Sequence, residues 1–225
     1  MPKELELEIN ANQLRTTFLK YTRKAFELLP KIDNPRILDI GCGSGIPTLE
    51  LARLSNGAII GIDIDQAALN QLNEKARKLG LSSRVKAINC SLFELEFPDE
   101  SFDVIWAEGA LAPIGFERAL KEWGRILKIK GYMVLHDDVR DKERKFKIIP
   151  NYGYVLVGHF HLPDDAWWTE YYEPLEKRIK EVLAKYKDYP KVLEVVKSYQ
   201  NEINAYKKNP KAFRSIFYII QKTKK

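Results

Sequence analysis

The sequence predicts an α/β fold, a parallel sheet with helices on both faces, and three observations predict it. Short apolar runs alternate with amphipathic stretches from residue 36 to residue 136, the order expected of a parallel sheet covered on both sides. A glycine-rich turn containing Gly41, Gly43 and Gly45 joins the first apolar run to the first amphipathic stretch. Asp39, Asp63, Asn89 and Glu108 fall at or near the ends of successive runs, where open sheets of this kind bind ligands.

Each element follows from its residues. Leu14, Phe18, Tyr21, Ala25 and Leu28 recur at helical spacing, so one helix precedes the sheet, with Pro30 and Pro35 bracketing the connection. Strands are expected over residues 36–40, 58–63, 84–89, 102–107 and 132–136, and helices over 47–55, 66–79 and 115–127. Pro47 suits a first helical turn, where its missing N–H costs nothing. Asp65 is placed to cap the second helix and Gly80 to end it.

After residue 140 the pattern changes. A short helix is expected over 142–149, a sixth strand over 154–162 and a seventh over 215–222. Roughly 50 residues separate the last two, too many for an ordinary loop. Residues 166–186 and 192–207 read as helices parted at Pro190, hence as a helical insertion over the mouth of the site. The expected division is one domain, 1–225: an N-terminal helical cap (1–34), a core (35–162 and 213–225) and a lid (163–212).

The 225 residues suffice for one domain with a substantial core. No apolar run approaches a membrane span, and the charged N-terminus has no signal-peptide core. Two cysteines, Cys42 and Cys90, offer no disulfide framework, which favours a reducing cytoplasm. Abundant Lys, Glu and Ile lean towards a thermophile. The net charge of +6 is uneven: residues 141–225 carry 18 basic and 11 acidic side chains, +7, while residues 36–140 carry 13 and 15, −2. The basic region can attract nucleic acid or anionic substrates, or form solvated lysine-rich helices.

The turn selects its ligand by charge. Glycines admit a ligand against bare backbone. The dinucleotide fingerprint has its third glycine one position later than Gly45, and Asp39 beside the turn would repel a pyrophosphate. Asp63, after the second strand, can accept both hydroxyls of a ribose. The implied ligand carries a ribose and a cationic amino group without phosphate; S-adenosylmethionine fits and NAD does not.

At residues 37–45, 61–65, 102–109 and 127–135 the chain resembles class I S-adenosylmethionine-dependent methyltransferases, most closely the small-molecule group that includes the ubiquinone and menaquinone C-methyltransferases. The alternative is a Rossmann-like domain for another nucleoside, or one that has lost activity. The resemblance implies a Rossmann-like seven-stranded sheet, its last strand antiparallel beside the sixth, with the helical insertion between strands 6 and 7. It also implies a cofactor site of Asp39, Gly41, Gly43, Gly45, Asp63, Ile64, Ser91, Leu92 and Glu108. Asp39 would orient the amino group, the glycines would approach the methionine part, and Ile64 would pack on the adenine. Many relatives carry an Asp after the third strand to meet the adenine amino group; here Asn89-Cys90-Ser91-Leu92 stands there, a departure that puts this contact in question, with Ser91 able to accept that hydrogen bond and the Leu92 N–H able to meet a ring nitrogen.

Methyl transfer needs alignment and exclusion of water more than a nucleophilic side chain. Glu108 would bind the cofactor edge, polarise an acceptor or act as base, the alternative being a carboxylate paired to a basic helix residue. His136 is a second candidate base or substrate ligand, or a hydrogen-bonded strand-end histidine. His159 and His161 are weaker candidates, and the histidines show no metal-ligand spacing with the cysteines, so no metal is expected. Trp167 and Tyr171 share one helical face, Trp168 and Tyr172 another. Tyr21, Trp168 and Tyr172 are the candidate substrate residues. The leading expectation is methylation of a small molecule by a monomer or homodimer. RNA or protein methylation through the basic C-terminal region is the alternative, and a non-catalytic binding module a third.

Overall fold

A computed structural model describes residues 5, 8–189 and 191–224. Its seven strands form one sheet in the order β3-β2-β1-β4-β5-β7-β6. They are β1 Arg36–Ile40, β2 Ala58–Asp63, β3 Val85–Asn89, β4 Phe102–Glu108, β5 Leu127–Asp138, β6 Tyr154–His161 and β7 Ser215–Lys222. β1 through β5 pair in parallel, and β7 runs antiparallel to β6. This is the seven-stranded Rossmann-like sheet that the sequence implies. The helices are α1 Ala11–Arg15, α2 Leu19–Glu27, α3 Ile46–Leu54, α4 Gln66–Lys78, α5 Phe116–Gly124, α6 Lys142–Ile148, α7 Glu173–Lys185 and α8 Val192–Lys208. None among the described residues is long and apolar enough to cross a membrane.

The chain divides into two compact units, one of residues 19–161 and 216–225, the other of residues up to 18 with 162–215. In the sheet unit, α5 buries Phe116, Ala119, Leu120 and Trp123 against strand side chains such as Leu38, Ile105 and Leu135. Each such large apolar side chain contributes about 1.5–3 kcal/mol on burial. The Trp123 indole donates to the Leu92 carbonyl at 3.1 Å, so the core also fixes the loop after β3.

α5 was expected to reach residue 127 and instead ends at Gly124. The buried Lys222 ammonium donates to the carbonyls of Gly124 and Leu127, both at 2.8 Å, and draws the chain out of the helix. β5 therefore starts at Leu127, earlier than expected, and its register against β4 shifts between Phe102 and Val104.

The N-terminal helix also differs from the single helix expected. A 3-10 turn, Thr16–Phe18, separates α1 from α2. The Thr16 and Thr17 hydroxyls donate to the Gln13 and Leu14 carbonyls at 2.6 and 2.8 Å, and such back-bonding competes with the helical ladder. The two halves belong to different units.

In the helical unit, α7 and α8 bury Leu175, Ile179, Val196 and Ile203 with Leu5, Ile9 and Leu14. The Arg178 guanidinium donates to the Ile9 and Asn10 carbonyls at 3.0 and 3.1 Å. The stretch leading into α7 contains a π turn, Trp168–Tyr172, in which the Glu173 N–H reaches the Trp168 carbonyl five residues back. Pro174 follows at once, without an N–H and with a ring that crowds the carbonyl four residues before it. Pro190, expected to part the two helices, lies outside the described residues.

Candidate active site

The carboxyl ends of β1, β2 and β4 carry the expected acidic residues. Asp39 is buried, and the Thr48 hydroxyl of α3 donates to its Oδ2 at 2.6 Å. Burial, with the nearby Glu108 and Asp63 charges, pushes the Asp39 pKa up to about 7, against the lowering effect of Thr48. The carboxyl thus stands beside the turn without reaching its surface.

The turn is fastened from both sides. The N–H groups of Gly41 and Cys42 both donate to the Ile62 carbonyl at 2.9 Å. The Gly43 N–H donates to Asp63 Oδ2 at 2.8 Å, and the Asp65 N–H to Asp63 Oδ1 at 2.9 Å. Lys75, from α4, donates to the Ser44 carbonyl at 3.0 Å. Asp65 caps α4 as expected, accepting from the N–H groups of Ala67 and Ala68.

Two glycines have different reasons to be glycine. Gly45, at φ +82°, packs so closely on Leu72 that a Cβ would collide with that side chain. Gly43, at φ +50°, has no protein atom within 4 Å of where a Cβ would stand. Its bare face meets no protein atom, while its N–H is bonded to the Asp63 carboxylate. Ile64, the residue after Asp63, is 74% exposed.

Beyond β3, Ser91 Oγ accepts the Phe93 N–H at 3.2 Å, and Asn89 Nδ2 donates to the Ile64 carbonyl and Gln66 Oε1, each at 3.2 Å. Asn89 thereby ties this loop to the β2–α4 loop that holds Asp63 and Ile64. Sequence reasoning assigned Asn89 no such bond.

Glu108 ends β4. Its Oε1 accepts from Thr22 Oγ1 of α2 at 2.9 Å and from Trp106 Nε1 at 2.7 Å. Burial pushes its pKa up to about 7, against both hydrogen bonds. His136 lies beside it, in register on β5. It stacks on Phe217, ring centroids 4.5 Å apart, and burial lowers its pKa to about 4, so the imidazole is neutral near pH 7. Tyr21 is buried on α2, next to Thr22.

Trp168 and Tyr172 belong to the helical unit, where both pack on Tyr206 at 5.6 and 5.1 Å. Trp167 meets Tyr171 and Tyr172. His159 and His161 lie on β6, where His159 meets Phe146. No cluster able to hold a metal occurs among the described residues. Sequence reasoning missed Thr22, Thr48, Trp106 and Lys75. Thr48 had a local signal, being one turn into the helix after the glycines; Thr22 and Lys75 had none, since their partners are distant in sequence.

A family model described as a methyltransferase domain matches residues 31–178. The chain belongs to this methyltransferase-domain family. It is similar to the 27-O-demethylrifamycin SV methyltransferase of Amycolatopsis mediterranei, 31% identical over 52% of this chain and 44% of that protein. It is also similar to the ubiquinone/menaquinone biosynthesis C-methyltransferase of Rickettsia massiliae, 33% identical over 56% of this chain and 57% of that one. The chain thus spans about half the length of the curated relatives it matches. An S-adenosylmethionine-dependent methyltransferase from Geobacter sulfurreducens, solved with S-adenosylhomocysteine, shares the fold with a TM-score of 0.75. The identity there is 18%, covering 91% of each chain.

Proposed function

We propose that this methyltransferase-domain protein moves a methyl group from S-adenosylmethionine to a small-molecule acceptor. The observation that carries the reading is the open face of Gly43 held against the Asp63 carboxylate, with Asp39 buried behind it. Asp63 takes the ribose hydroxyls, Ile64 the adenine face, and Ser91 and Leu92 the adenine edge. Gly41 and Gly43 admit the methionine part, with Gly45 holding the turn they sit on. Asp39 and Glu108 supply negative potential that favours a cation and disfavours a pyrophosphate. The bound cofactor supplies an electrophilic methyl, and Glu108 receives the acceptor's N–H or O–H. His136, neutral and buried, serves as an apolar-stacked wall or a weak base. Tyr21, Trp168 and Tyr172 are proposed to contact the acceptor, and residues 163–212 to act as the lid.

We place the enzyme in a reducing cytoplasm, as a monomer or homodimer from a thermophilic source. Both cysteines are free, and burial pushes the Cys42 thiol far above its ordinary range, so it is inert. Methylation of RNA or protein is the second reading, favoured by the basic C-terminal third. Four of its 18 basic side chains are paired with carboxylates: Lys145 with Asp137, Lys185 with Glu8, Lys207 with Glu176 and Arg214 with Asp164, all at 2.6–2.8 Å. Incubating the protein with a cell extract and methyl-labelled cofactor tests the reading. Label in the small-molecule fraction supports it; label only in precipitated RNA or protein replaces it with the second.

A further inference from the structure

The Glu108 carboxylate is held asymmetrically. Two donors from different elements, the Thr22 hydroxyl and the Trp106 indole, converge on Oε1. Among the described residues no donor reaches Oε2, and Glu108 is partly accessible. Thr22 itself is only 1% exposed and Trp106 is fully buried. A buried hydroxyl aimed at a carboxylate is a costly arrangement to keep unless the carboxylate needs it, because charge-assisted bonds fix geometry as well as energy.

We propose that Thr22 is a positioning residue that, with Trp106, locks Oε1 of Glu108 so that Oε2 is the oxygen presented to an N–H or O–H of the acceptor. This rests on the reading of Glu108 as the group that meets the acceptor. The same two bonds favour the ionised carboxylate, while burial favours the neutral one. Removing the hydroxyl therefore frees Oε1 and shifts the carboxyl towards its neutral form at pH 7, in which one oxygen carries a proton and donates instead of accepting.

The neighbours that share this electrostatic site are few. Asp39 on β1 stands in register with Trp106, and its own carboxyl is pushed up by burial and, less, by the charges of Glu108 and of Asp63 on β2. His136 on β5 is neutral near pH 7. On α2, Arg23 is paired with Glu50 and Lys24 lies over the Phe160 ring.

Trp106 makes the proposal measurable without knowing the acceptor. Its indole N–H touches Glu108, so its nitrogen-15 correlation reports the protonation of that carboxylate. We expect a transition near pH 7 in the 225-residue protein that Glu108→Gln abolishes. Thr22→Val should move the midpoint upward by about one to two pH units, the weight of one hydrogen bond to a charged group. Thr22→Ser, which keeps the hydroxyl, should restore it. An unmoved midpoint in a folded Thr22→Val protein, or no restoration by Thr22→Ser, overturns the proposal. These readouts use no cofactor, so failure of S-adenosylhomocysteine to bind would count against the proposed activity while leaving the titration result standing.

Discussion

Asp63 Oδ2 accepts the Gly43 backbone N–H at 2.8 Å, so the carboxylate after β2 and the middle of the glycine turn after β1 are one unit. The residue proposed to bind the ribose also holds the turn proposed to admit the methionine part. Asp63→Ala should therefore lower affinity for S-adenosylhomocysteine at least tenfold. It should also destabilise the fold by about 1.5–3 kcal/mol, the weight of a part-buried hydrogen bond to a charged group. Calorimetric titration and denaturant unfolding of the same variant check both halves.

Gly43 and Gly45 separate folding from binding. Gly43→Ala meets no protein atom, so its cost is the strained backbone, about 1–2 kcal/mol. It places a methyl in the cradle, so cofactor affinity should fall by more than stability does. Gly45→Ala collides with Leu72 as well, and overpacking adds about 1–3 kcal/mol. Melting temperatures with and without S-adenosylhomocysteine check the contrast: Gly43→Ala loses the ligand-induced rise, and Gly45→Ala loses the fold first.

Asp39 and Glu108 both carry pKa values raised to about 7, mainly by burial. In the unfolded chain such carboxyls titrate near 4. Between those values the folded state binds more protons, so stability without ligand is fullest at low pH and declines as pH rises through 7. A cationic ligand favours the ionised forms, so its binding releases protons on the acid side. Affinity for S-adenosylmethionine should rise between about pH 6 and 8 and then level off. Unfolding and titration calorimetry across that range check the two opposite slopes.

Tyr172 is 5% exposed and touches Trp167, Tyr171, Tyr206 and Phe213. Tyr172→Ala should cost about 3–5 kcal/mol, as for other buried aromatic truncations. Trp168 is more exposed and stacks on Tyr206, with Lys207 over its ring. Trp168→Ala should therefore leave the protein folded and able to bind cofactor, while reducing turnover once an acceptor is known. Circular dichroism and cofactor titration separate the two variants.

What the sequence made legible was local. The glycine turn, Asp63 and the cap at Asp65 lie within 25 residues, and their spacing is set by one strand–turn–helix unit and the next strand. β7 was legible because its apolar run is continuous. The π turn was hidden because Pro174 looks like an ordinary first-turn proline rather than one that interrupts a longer helix. The break at Thr16 and Thr17 was hidden because apolar spacing continues across it. Thr22 and Lys75 were illegible for a different reason: each meets its partner 86 or 31 residues away, and one-dimensional periodicity carries no such pairing.

The most direct measurement is calorimetric titration of the protein at pH 8 with S-adenosylhomocysteine and, separately, with NAD. Binding of the first with no heat from the second is the expected result. Binding of NAD, or a flat titration with S-adenosylhomocysteine in a folded protein, would contradict the account of the turn as a cradle for a phosphate-free adenosyl ligand.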